Sequence, residues 1–72
     1  MDNKTAITKF STRLKDLRKE NSLSQSEVAQ KLGIPPSTYA NWEQGRREPS
    51  IADIYNIIKC MNIDANDLFD ID

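Results

Sequence analysis

The strongest constraint on this chain is the spacing of its conformational breaks between Ser24 and Gly45. Ser24-x-x-Glu27 is a capping box, in which each side chain satisfies an orphan backbone N–H at a helix start. Gly33 stops that helix after about two turns. Pro35 and Pro36 follow at once. Ile34 must be extended because it precedes a proline, whereas Pro36 suits the first position of a new helix, where no N–H is needed. Ser37 to Gln44 continue this helix and Gly45 closes it. Helices this short are marginal alone. The pair must therefore pack on each other and on whatever flanks them.

The flanks are helical as well. Ile7, Phe10, Leu14 and Leu17 form one stripe, with Arg13, Lys15, Arg18, Lys19 and Glu20 around it. Asn21-Ser22 ends this segment, and Asn21 is the expected left-handed cap. After the loop Arg46–Pro49, Ser50-x-x-Asp53 opens a fourth helix with Ile51, Ile54, Ile57, Ile58 and Met61 on its apolar side. Asn62 ends it and Ile63 packs down. Asp64-x-x-Asp67 caps a final turn that buries Leu68. Val28, Leu32, Ile34, Tyr39 and Trp42 fill the corner between the two short helices, and small Ala29 permits their close crossing. No strand pattern, repeat or linker occurs, so the reading is one all-α domain over residues 1–72, with a core from about 10 to 68.

With 72 residues, one domain is all the chain can build. There is no His and one Cys, Cys60. Common zinc sites, an intrachain disulfide and the usual nucleophilic triads therefore lack their parts. Two glycines do not make a phosphate-cradling loop. No catalytic residue, metal or cofactor is assigned, no small-molecule substrate is evident, and the chain reads as a non-enzyme. No apolar run approaches the ~18 residues of a membrane span, and no export signal opens the chain. With a single unpaired Cys, the expected compartment is the cytoplasm. Cys60 itself reads as a small half-buried apolar residue.

Two short helices around a glycine turn match the helix-turn-helix arrangement. The segments Leu14-Lys15-Asp16-Leu17-Arg18, Leu23-Ser24-Gln25-Ser26-Glu27-Val28-Ala29, Leu32-Gly33-Ile34, Ser37-Thr38-Tyr39-Ala40-Asn41-Trp42-Glu43-Gln44-Gly45 and Glu48-Pro49-Ser50 resemble the Cro/CI-type (Xre-like) helix-turn-helix repressors. The resemblance implies a five-helix lambda-repressor-like fold, double-stranded DNA as partner and a homodimer. Pro36, Ser37, Ala40 and Asn41 then match positions that face base edges. Asn41 can donate and accept together, as an adenine edge requires, and Ala40 suits a thymine methyl. Gln25, Thr38, Gln44, Arg46 and Arg47 match positions that contact phosphates, and Gln25 also braces the reading helix. Arg18 and Glu43 match an ion pair between the first and third helices.

Two residues depart from the family pattern. Pro35 stands where a Ser or Thr cap is usual, and Pro36 offers only apolar contact where a hydrogen-bonding residue is common. Readout there is expected through a thymine methyl or DNA shape.

The formal charge is −1, which does not suggest a nucleic-acid ligand. Its distribution weakens that objection, though the basic patch is modest. Residues 1–49 carry nine basic and six acidic residues, and residues 50–72 carry one basic and five acidic. Phosphates meet the local charge. The expected function is a sequence-specific transcriptional regulator, a repressor that binds an inverted-repeat operator as a dimer. The dimer surface is expected near Met61, Ile63, Leu68, Phe69 and Ile71. The alternative is a protein-interaction or antitoxin-like module on the same fold, which the near-neutral charge and Pro36 favour.

Overall fold

The computed structural model describes residues 2–69. Five helices follow in order: α1 Asn3–Glu20, α2 Gln25–Leu32, α3 Pro36–Glu43, α4 Ile51–Met61 and α5 Ala65–Phe69. No strand occurs among the described residues. The lambda-repressor-like, all-α fold expected above is the fold observed.

The helix starts follow their capping chemistry. Asp2 accepts from the Thr5 N–H at 2.7 Å, which explains why α1 begins well ahead of its apolar stripe. Both capping boxes are complete: Ser24 with Glu27, and Ser50 with Asp53. At α3 the cap residue Pro35 gives no side-chain bond, and Pro36 occupies the first turn. The Pro35 carbonyl instead takes the N–H groups of Thr38 and Tyr39.

The helix ends share one device. In α1 to α4 a left-handed residue, Ser22, Gly33, Gly45 or Asn62, is followed by an N–H that reaches back to the helix's third-last carbonyl region. The bonds are Leu23 to Arg18, Ile34 to Ala29, Arg46 to Asn41 and Ile63 to Ile58, all between 3.0 and 3.2 Å. These are Schellman closures. They correct one expectation. Asn21 has φ −90°, not a left-handed value, and the left-handed residue is Ser22 at φ 58°. Asn21 remains on the helical side because its amide donates to the Leu17 carbonyl at 2.8 Å.

Schellman closures favour an apolar residue after the turn, packed back on the helix. Leu23, Ile34 and Ile63 do this, each resting against the core. After α3 the equivalent residue is Arg46, which is exposed. The end of α3 thus carries a cation outward where the other three helices tuck in a hydrocarbon.

The core is Leu14, Leu17, Val28, Ala29, Tyr39, Trp42, Ile57, Met61 and Leu68. It joins α2 to α3, α1 to α3 and α5, and α2 to α4. Ile51 does not join it. The sequence places Ile51 on the apolar side of α4, but it is 76% exposed. It sits on the first turn at the margin of the stripe, on the same side as the exposed Tyr55. Among the described residues no helix is long and apolar enough to cross a membrane.

Candidate nucleic-acid interface

α3 has two unlike faces. Tyr39 and Trp42 point inward, edge to face, with ring centroids 6.0 Å apart. The opposite face carries Ser37, Ala40, Asn41 and Gln44 by helical spacing. Pro36, Ser37 and Gln44 are exposed, while Thr38, Ala40 and Asn41 are half-buried. The side chains of Ser37 and Asn41 take no part in the bonds that fix the helix to its neighbours.

Those bonds lie on the inner side. Ser11 Oγ donates to the Trp42 carbonyl at 2.8 Å, a buried bond the sequence reading missed. It is legible only once α1 and α3 are known to touch. Gly45 marks the same approach: an added Cβ would lie 3.4 Å from both Ile7 Cγ2 and Ser11 Oγ.

The ion pair expected between α1 and α3 is present. Arg18 Nε donates to Glu43 Oε2 at 2.6 Å and Nη2 to Oε1 at 3.1 Å, a bidentate fork. Side-chain exposure is 11% for Arg18 and 2% for Glu43. The third arm of Arg18 donates to the Leu23 carbonyl at 2.8 Å. Gln25 Nε2 donates to Glu43 Oε1 at 3.0 Å. One buried carboxylate therefore holds α1, the start of α2 and the end of α3 together, so the bracing role expected of Gln25 has a partner in Glu43. Burial pushes the Glu43 carboxyl up, but the donors around it outweigh burial and hold it below the usual carboxylate range. The same bonds raise Arg18. The Tyr39 hydroxyl lies beside this pair, yet it is buried without a partner at hydrogen-bond geometry among the described residues. Burial holds it far above an ordinary phenol.

The loop after α3 folds over the end of that helix. The Asn41 carbonyl accepts from the N–H groups of Arg46 and Arg47, at 3.0 and 3.4 Å. Both arginines are exposed. Arg47 shares a shallow polar depression with Thr38, Asn41 and Asp53. Pro36, Ser37, Ala40, Asn41, Thr38, Gln44, Arg46 and Arg47 are thus carried by one element, α3 with its closing turn. Gln25 stands apart at the start of α2.

The residues expected at a dimer surface separate into different environments. Met61 and Leu68 are 4% and 0% exposed, which corrects their placement there: they complete this chain's own core. Ile63 is half-buried against the core. Phe69 is partly exposed and packs on Phe10 at 5.7 Å between centroids. Ile71 lies outside the described residues. Among the described residues, the large apolar side chains left at the surface are Ile51, Tyr55 and Phe69.

Comparison with known proteins agrees with this geometry. Residues 14–68 match the helix-turn-helix family HTH_3. The transcriptional repressor RstR of a cryptic CTXphi phage in Vibrio cholerae is 32% identical over 59 residues, 82% of this chain and 53% of that protein. The HTH-type transcriptional regulator YqaE of Bacillus subtilis is 39% identical over 54 residues, 75% of this chain and 47% of its own. The chain spans about half the length of these two relatives. Among solved structures, the restriction-modification controller protein C.AhdI of Aeromonas hydrophila superimposes with a TM-score of 0.84 at 31% identity, covering 90% of this chain and 98% of that one. The chain belongs to the helix-turn-helix family HTH_3.

Proposed function

We propose that this regulator binds an inverted-repeat operator as a homodimer and represses transcription by occupying it. α3 reads sequence from the major groove. Asn41 reads an adenine edge, Ser37 a base or a phosphate, and Ala40 with Pro36 a thymine methyl. Gln25, Thr38, Gln44, Arg46 and Arg47 contact phosphates and set the register. Two α3 helices enter successive major grooves roughly 34 Å apart. The observation that carries this reading is the division of α3, whose inner face is fixed by Trp42, Tyr39 and Glu43 while its polar face is left free.

For the dimer, the reading turns to the apolar side chains the fold leaves exposed, Ile51, Tyr55 and Phe69, in place of Met61 and Leu68. No catalytic step is involved, and no cofactor is needed.

Selection of bound duplexes from a random pool tests the whole reading. The expected result is an enriched inverted repeat with half-site centres about one helical turn apart. A pool without enrichment refutes it and favours the protein-interaction reading instead.

A further inference from the structure

We propose that the outer face of α1 is a second phosphate-binding surface, continuous with α3, which extends the footprint along the DNA backbone beyond the bases that α3 reads. This inference rests on the DNA-binding reading above. At 3.6 residues per turn, Lys4, Thr8, Thr12, Lys15 and Lys19 fall within about 80° of one another on α1. All five are exposed. No acid lies on this face. Asp16 and Glu20 belong to the adjacent one with Lys9 and Arg13, where Arg13 lies 3.7 Å from Glu20. Among the described residues, none of the three stripe lysines is in an ion pair.

The stripe is joined to the reading helix. Lys4, Thr8 and Thr12 form one wall of a groove whose other wall is Gln44 and Gly45, at the end of α3. Glu43 also borders that groove, but Arg18 neutralises it. Lys4 to Lys19 spans about 22 Å along the axis, a length that covers some six base-pair steps of a duplex. The occupant that fits a long, acid-free cationic face beside a sequence-reading helix is a polyanion backbone. The lysines carry the contact. Thr8 already donates its hydroxyl to the Lys4 carbonyl at 3.0 Å, so it supplies little.

The test is a salt titration of affinity with a Lys4→Gln/Lys15→Gln/Lys19→Gln variant on the selected operator and on random duplex. A control variant, Lys9→Gln/Lys31→Gln/Lys59→Gln, removes the same charge elsewhere. Each phosphate contact contributes about 0.9 to the slope of log affinity against log salt, so the stripe variant is expected to lose about 2.7. Between 50 and 200 mM salt, the wild type then loses about 40-fold more affinity than the variant. Both DNAs are affected alike, and the melting temperature holds. The control variant keeps the wild-type slope. A stripe variant with the wild-type slope, or a control that falls equally, overturns the surface while leaving α3 as the reader. A wild type that binds no duplex removes the functional reading, and this surface with it.

Discussion

Replacing Arg18 with Ala is the sharpest perturbation of the fold described above. It leaves Glu43, with a side chain 2% exposed, holding a negative charge against one remaining donor, Gln25. Breaking a buried pair in this way costs about 3–5 kcal/mol. A domain of this size shifts its midpoint about 4–8 °C per kcal/mol, so the melting temperature should fall by at least 12 °C. Urea unfolding followed by circular dichroism gives the same quantity, provided the slope with denaturant is unchanged. The pH dependence supplies a second readout. In the wild type the Glu43 carboxyl is held below its ordinary value of 4.5. Its contribution is therefore present above that value and lost as pH falls through the lowered one. In the variant, burial dominates, the carboxyl titrates above 4.5, and protonation relieves the buried charge. The gap between wild type and variant should narrow as the solution is acidified. A double variant, Arg18→Met/Glu43→Leu, removes both charges and should recover most of the loss. A loss below 1 kcal/mol for Arg18→Ala at pH 7, or a gap that stays constant down to pH 4, refutes the argument.

Five further variants have expected outcomes. Asn41→Ala should cost about 1–3 kcal/mol on the selected operator and relax preference at one base pair, measured by competition binding; equal losses on random DNA would exclude base readout. Gly33→Ala should cost about 1–2 kcal/mol by calorimetry, because φ is +71° but nothing lies within 4 Å of an added Cβ. Gly45→Ala should cost about the same 1–2 kcal/mol, since φ is +73° and the Cβ meets Ile7 and Ser11 only at contact distance, and a loss far above that would refute the ordinary-contact reading. Ile51→Asp/Tyr55→Asp should weaken self-association in sedimentation with little loss of monomer stability, whereas Met61→Ala should lose about 2–5 kcal/mol as a core residue. A double variant that still dimerises at wild-type strength would place the seam elsewhere.

Much of the fold was readable from local chemistry. Capping boxes at Ser24 and Ser50, the left-handed turn at Gly33 and the prolines at 35 and 36 each specify a backbone state without reference to the rest of the chain. The misreadings arise where a second element or a competing bond decides. Ser22 takes the left-handed role because the side chain of Asn21 is drawn back to Leu17. Ile51 has the right spacing for the core, but it lies on the first turn beyond it. Met61 and Leu68 read equally well as core or seam until α4 and α5 are seen to pack inward. At the site, the Arg18–Glu43 pair came from the family resemblance, since charges 25 residues apart carry no local signal. The Ser11 bond to Trp42 and the Gln25 bond to Glu43 depend on how three helices converge, which no short window of sequence encodes.

The two prolines ahead of Ser37 have a kinetic consequence. Pro35 and Pro36 hold the entry to α3 near φ −65°, and the Pro35 carbonyl, besides the ordinary first helical bond from Tyr39, takes the Thr38 N–H that a helix start usually leaves open. On the proposed function, α3 would therefore meet DNA in finished form, with little freedom left to surrender on contact. Association should follow the collision rate set by charge, and discrimination between right and wrong sequences should show in how long each complex lasts.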